Sequence, residues 1–275
     1  MMVSMIIATL NREEEILKLL KSIEAMDYDK KKIEVIVLNQ GRKELKEKIF
    51  IFKNLNLKYY ESNILGLSKN RNIGIKDAKG EIICFPDDDC EFQNDTLKKV
   101  VNIFKEKKEI DILLGRIIDE YGDDCIRRWP RKKKKITKYN FYTKTTSITM
   151  FLRNNKYFFD ENLGVGAKFG ACEDGDYIFR LLKLKKKIEY RPEIVLYHPK
   201  AQGRISCNKA KSYGEGFGAF CKKNFNIEII ILFLGSISLY VMRCIKYRIL
   251  NRELYNISKN GLKGRIEGFF KYGKK

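Results

Sequence analysis

The first half of the chain alternates two patterns: short runs of branched apolar residues, and stretches whose apolar positions recur every three or four residues. Val3 to Ala8, Ile33 to Leu38, Leu57 to Tyr60, Glu81 to Phe85 and Ile110 to Ile118 read as strands, since branched residues fit extended backbone. Glu13 to Met26 carries Ile16, Leu19, Leu20 and Ile23 at helical spacing. Lys43 to Phe52, Leu67 to Ala78 and Thr96 to Lys107 read as further helices, the second stopped by Lys79-Gly80. Strand, helix, strand in this rhythm specifies crossover connections. The expected fold is α/β, with a sheet of parallel strands flanked by helices.

The later residues change character. Asp119 to Tyr142 has no period and reads as a surface loop or insertion. Thr145 to Leu152 is expected to be a strand, Gly164 to Gly170 a glycine-rich loop, and Glu173 to Leu184 a helix with Tyr177, Ile178, Leu181 and Leu182 facing inward. Two short strands, Ile188 to Tyr190 and Ile194 to Tyr197, flank Pro192. Beyond His198 the pattern is helical, so residues 201–275 form a C-terminal helical extension. Within it, Ile229 to Met242 is an uncharged fourteen-residue stretch between Lys222-Lys223 and Arg243, Lys246 and Arg248. That is short of the roughly 20 residues a transmembrane helix needs. A buried helix is the plain expectation, and an interfacial helix on an anionic membrane is the alternative.

Asp87-Asp88-Asp89 stands directly behind the apolar run Ile82-Ile83-Cys84-Phe85-Pro86. Adjacent carboxylates repel, so the triplet calls for a cationic partner. A strand ending there places it at a sheet edge where open α/β sheets bind ligands. Oxygen ligands suit a hard divalent cation such as magnesium or manganese, which also takes phosphate oxygens. An acidic turn capping the next helix is the bland account, although Asn94-Asp95-Thr96 could fill that role. Other polar groups fall at matching places. Thr9, Asn11 and Arg12 follow the first strand, Asn39 ends the second, and Lys69 and Arg71 open a helix whose N-terminus favours phosphate.

The net charge is +21, from 56 Lys plus Arg against 35 Asp plus Glu, with a peak at Arg127-Arg128 and Arg131 to Lys135. An anionic partner follows: nucleic acid, lipid headgroups or phosphorylated small molecules. No helix-turn-helix, zinc finger or aromatic RNA-binding strand is visible, so no nucleic acid is expected. Seven cysteines without CxxC spacing, and no signal-peptide pattern, imply reduced thiols and a cytoplasmic setting, peripheral at the inner face of the plasma membrane in the interfacial alternative. Trp129 could stack on a sugar or anchor its loop. Gly214, Gly216 and Gly218 suggest a dinucleotide loop only superficially, because no strand precedes them.

Taken in order, several stretches resemble glycosyltransferase family 2, the inverting GT-A enzymes that use nucleotide-sugars. They are Ser4 to Arg12, Gly66 to Gly74, Gly80 to Asp89, Phe159 to Gly164 and Gly170 to Arg180, followed by Tyr190-Arg191-Pro192 and Tyr197-His198-Pro199. The resemblance covers about residues 2–200. It implies a Rossmann-like nucleotide-binding GT-A fold with a mixed, mostly parallel sheet, and a catalytic domain over 1–200, with a nucleotide-sugar half of about 1–118 and an acceptor half of about 119–200.

By the same resemblance, Asp87 and Asp89 form the DxD pair, with Asp89 the first choice as ligand for manganese or magnesium. Asp88 lies in the same donor site. Thr9, Asn11, Arg12, Asn39, Lys69 and Arg71 are implied donor contacts, and the family's histidine near the diphosphate or metal matches His198. A lone histidine is otherwise commonly a structural hydrogen-bonder. Asn39 replaces an aspartate common in the family, which leaves the base open. Glu173-Asp174 resembles the pair supplying the general base. Asp174 is the choice, Glu173 the alternative, and Asp176 reads as a cap or a partner of Arg180. A purely capping cluster is the non-catalytic account.

The implied activity moves a sugar from a UDP- or dTDP-sugar to a glycan or lipid-linked acceptor in cell-surface polysaccharide synthesis. A sugar-nucleotide nucleotidyltransferase is the alternative, though Thr9 to Arg12 is not its glycine-rich loop. A basic nucleic-acid-binding protein ranks below both.

Overall fold

The computed structural model describes residues 1–41, 44–200 and 203–273. Its first part builds one sheet from β1 (Val3–Thr9), β2 (Ile33–Asn39), β3 (Asn56–Glu61), β4 (Ile82–Cys84), β5 (Glu91–Phe92), β6 (Ile112–Ile118), β7 (Lys134–Lys135), β8 (Met150–Arg153) and β9 (Ile188–Tyr197). The helices are α1 (Glu13–Ala25), α2 (Leu45–Ile49), α3 (Leu67–Asp77), α4 (Thr96–Glu106), α5 (Glu173–Lys183), α6 (Cys207–Lys223), α7 (Ile227–Leu250) and α8 (Arg252–Lys271). Strand order is β3-β2-β1-β4-β8-β6-β9-β5, with β7 also on β9. The longest ladders, β1–β2, β2–β3 and β6–β9, are parallel, while β8 enters antiparallel between β4 and β6. This is the mixed, mostly parallel α/β sheet that the resemblance implies.

Burial explains why the parallel strands read as unbroken apolar runs. Every residue of β2 is buried, including Glu34, because helices cover both faces. Glu34 is accommodated by Lys58 Nζ at 2.9 Å and by the Lys79 backbone N–H. The stabilising side of α1 is the Ile16, Leu19, Leu20, Ile23 stripe, and Glu13, Glu14 and Glu15 in its first turn complement the helix dipole.

Four expectations need correction. The helix expected over Lys43 to Phe52 is the short α2; Lys43 itself lies outside the described residues. Thr145 to Leu152 is not one strand. Its hydroxyls bond elsewhere, Thr145 Oγ1 to Phe141 O and Thr149 Oγ1 to Gly115 O, and a 3-10 turn over Ser147–Thr149 precedes β8. The two strands around Pro192 are one, β9. Its register against β6 jumps from Leu114↔Tyr190 to Arg116↔Val195, so Pro192 sits in a bulge where no ladder N–H is required. Finally, α7 is not buried. It runs for 24 residues, and among them only Ile229 is buried.

Contacts divide the chain into two compact units. The first comprises Met1–Leu65, Lys69–Phe158 and Ile178–Ala201; the second comprises Gly66–Ser68, Phe159–Tyr177 and Gln202–Lys275. In the second unit, α6 and α8 approach each other closely at glycines. A Cβ on Gly214 would lie 2.5 Å from Gly261 O, and one on Gly218, Gly264 or Gly268 would overlap the backbone of Arg265, Lys211 or Glu215. Gly214 and Gly218 therefore form a seam where the backbones of α6 and α8 meet, and Gly216 packs on Ala171. That accounts for the glycines that superficially resembled a dinucleotide loop.

Gly264→Leu should destabilise the protein by at least about 2 kcal/mol, through overpacking against backbone. Gly235→Ala, whose Cβ meets nothing within 4 Å, should instead stabilise it by about 0.5–1 kcal/mol. Chemical denaturation of the two variants checks both signs.

Candidate active site

Parallel register gathers the first polar groups. Thr9 pairs with Asn39 at the carboxyl ends of β1 and β2, and β4 runs beside β1 to deliver the aspartates as a turn closed by Cys90 N–H to Asp87 O. Asn11 has φ +55°, a left-handed conformation asparagine tolerates, and a Cβ at Gly41 would overlap its side chain. The loops after β1 and β2 thus pack closely at this edge.

The three carboxylates are held apart by different partners. Asp87 accepts from Arg71 Nη2 at 2.7 Å, and the same nitrogen reaches Ser147 Oγ at 3.0 Å. Arg71 is almost wholly buried. Asp88 is buried too, accepting from Thr9 Oγ1 at 2.7 Å and from Arg12 Nη1 at 3.0 Å. Asp89 takes the same Arg12 nitrogen at 2.6 Å and faces His198 Nε2 at 3.3 Å. Burial pushes Asp88 above the usual carboxylate range despite Thr9 and Arg12, with its two acidic neighbours adding to the rise. Burial acts on Asp89 in the same direction, but the hydrogen bonds and charges of His198 and Arg12 prevail and hold it below that range. Conversely, burial would lower His198, and Asp89 with the Pro199 carbonyl raises it overall.

His198 arrives at the triplet through β5, a two-residue strand too short to show a period. Its antiparallel register on β9, Glu91↔Tyr197, brings the residues just before β5 against those just after β9. His198 Nδ1 lies 2.8 Å from Pro199 O, a carbonyl that can only accept, so Nδ1 carries a proton and Nε2 is the ring nitrogen that faces Asp89. Ligand atoms of Asp87, Asp89 and His198 lie within 4.8 Å of one another. Two carboxylate oxygens and an imidazole nitrogen are a donor set that fits a divalent cation.

The remaining residues divide between direct and supporting positions. Asn39 is buried; its Nδ2 donates to Tyr59 Oη at 2.8 Å and its Oδ1 accepts the Gly41 N–H at 2.9 Å. Lys69 is half-buried near the start of α3. Trp129 anchors its loop. It is buried, stacks on Tyr190 at 6.3 Å with rings 6° apart, and donates Nε1–H to Cys125 O at 2.9 Å.

The acidic pair belongs to the second unit. Glu173 and Asp174 are half-buried in the first turn of α5, directly after Cys172 at φ +71°. Gly164, at φ +104°, lets the preceding loop approach: a Cβ there would be 3.1 Å from Glu173 Cδ. Asp176 is fully buried and bonds Lys223 Nζ and Asn224 Nδ2, each at 2.8 Å. Lys223 also reaches Asp160 at 2.6 Å. Arg180 donates to Phe158 O at 2.7 Å. Sequence reasoning noted Lys223 only as a basic flank, and nothing in its neighbours signals this network.

The family model described as glycosyl transferase family 2 matches residues 4–165, more than half of the chain. The chain belongs to glycosyl transferase family 2. TarS of Staphylococcus aureus, a poly(ribitol-phosphate) beta-N-acetylglucosaminyltransferase, is 33% identical over 115 residues. That match takes in 40% of this chain and 20% of TarS, so the chain spans a small part of the relative. The crystal structure of TarS 1–349 with UDP-GlcNAc superposes with a TM-score of 0.64 at 17% identity, covering 100% of this chain and 93% of that one. Mannosyltransferase PcManGT from Pyrobaculum calidifontis, in complex with GDP-Man and Mn2+, gives a TM-score of 0.66 at 12% identity, covering 98% and 87%. At such identities the likeness is one of fold, and the fold is GT-A.

Lys223→Met leaves Asp160 and Asp176 without their shared cation. Loss of one partner from a buried ion network should cost roughly 3 kcal/mol, read as a lower urea midpoint with an unchanged slope.

Proposed function

We propose that this protein transfers a sugar from a nucleoside-diphosphate donor to a hydroxyl of a glycan or lipid-linked acceptor, with inversion at the anomeric carbon, during cell-surface polymer synthesis. The observation that carries this reading is the cluster of Asp87, Asp89 and His198 at the carboxyl edge of a GT-A sheet, beside Thr9, Arg12 and Asn39. Asp87, Asp89 and His198 would hold manganese or magnesium. When bound, such a cation supplies positive charge against the departing diphosphate.

Around it, the chain's own residues would bind and orient. Thr9, Asn11 and Asn39 offer hydrogen bonds to base or ribose, and Arg12, Lys69 and Arg71 offer positive charge to the diphosphate. Asp88 would act through Thr9 and Arg12, which it holds in place. Asp174 would take the proton of the acceptor hydroxyl, with Glu173 as alternate base. The acceptor oxygen then bonds to the anomeric carbon as the bond from that carbon to the diphosphate breaks, in one displacement.

TarS 1–349 is solved in complex with UDP-GlcNAc, and PcManGT in complex with GDP-Man and Mn2+, which supports a nucleotide-sugar donor here. A UDP- or dTDP-sugar is our choice of donor. All seven cysteines are free, which suits the cytoplasm as the place of action.

Asp89→Ala should abolish manganese-dependent stabilisation by UDP in a thermal-shift assay. Asp174→Asn should retain that stabilisation while turnover of the nucleotide-sugar falls by about 10²–10⁴-fold. Wild-type turnover in Asp174→Asn would move the base to Glu173; wild-type metal response in Asp89→Ala would remove the cation from the triplet.

A further inference from the structure

We infer that α7 lies in the plane of an anionic lipid bilayer and holds this protein on a membrane surface. Ile227, Ile231, Leu234, Met242, Ile245 and Ile249 are each between 57% and 92% exposed. Their spacing of three, four and eight places them along one side of a 24-residue helix, about 36 Å long. The opposite side is occupied. Phe233 stacks on Phe269 at 4.8 Å, the Arg265 guanidinium lies 3.7 Å over Tyr240, and Arg265 Nε donates to Ser236 Oγ at 2.8 Å. The apolar stripe is therefore the outward face of a helix already fastened to its own unit.

Length and composition alone would let α7 cross a membrane. Its charges argue for lying flat. The uncharged stretch Ile229 to Met242 is only about 21 Å long, against a hydrocarbon core of about 30 Å. Crossing would also carry Arg265 and the lysines of α8 into hydrocarbon, because α8 is bonded along α7. Lying in the interface, the stripe enters the acyl boundary while Arg243, Lys246 and Arg248 reach phosphate headgroups.

Charge selects the occupant. The chain carries +21, so a second copy would bring one basic rim against another, whereas an anionic leaflet is complementary. The inference does not depend on the sugar-transfer assignment, and its readout is binding rather than turnover.

The test is flotation of the full chain with phosphatidylcholine vesicles, with and without phosphatidylglycerol. The protein should float with the anionic vesicles and be released by high salt. Replacing Arg243, Lys246 and Arg248 together by Gln should weaken binding roughly 100-fold. Ile231→Glu with Ile245→Glu should abolish it at an unchanged melting midpoint, since neither side chain supports the fold. Absence of wild-type flotation would overturn the proposal. So would retention through high salt and alkaline carbonate, the mark of a spanning helix, or a dimer in sedimentation equilibrium that the double Glu variant dissolves.

Discussion

Three consecutive carboxylates can sit at a sheet edge only if their mutual repulsion is offset, and here the offset is internal. Arg71 takes Asp87, Arg12 takes Asp88 and Asp89, and His198 faces Asp89. Each of these partners comes from a different element of the first unit. Arg12 follows β1, Arg71 stands on α3, and His198 follows β9. The triplet is thus the point on which the first unit's strand ends are tied together. The same surroundings push the two carboxyls in opposite directions, Asp88 upward mainly through burial and Asp89 downward through His198 and Arg12.

The second unit solves a different problem. It brings two helices to backbone contact with glycines and ties the acidic turn of α5 to the end of α6 through Lys223 and Asn224. Asp160, in the stretch Phe159 to Gly164, shares that lysine. Two separated sequence stretches that looked like independent motifs meet on one ammonium group. Burial alone would raise Asp160, and the bonds from Lys223 and Asn162 lower it instead.

Much of this was legible in the residues. Strand ends announced themselves because an apolar run stops at Thr9, Asn39 and Asp87, while α1 and α5 showed apolar faces at helical spacing and α3 a stop signal. What escaped has physical reasons. A two-residue strand such as β5 has no period. The hydroxyls of Thr145 and Thr149 chose carbonyl partners outside any ladder, which strand propensity does not register. Pro192 looked like a break because the bulge of β9 that accommodates it shows only in the pairing with β6. The exposure of α7 was invisible because an apolar helix has the same composition whether it faces protein or not.

The weight resting on β5 has a corollary. Its two rungs decide which residue stands opposite the triplet, and side chains along a strand alternate faces. Inserting or deleting a single residue between Asp89 and Glu91 would therefore shift the carboxylates against an imidazole that β9 and β6 hold in place, although every side chain of the cluster would still be present. The number of residues in this turn is thus a constraint of its own, separate from which amino acids fill it.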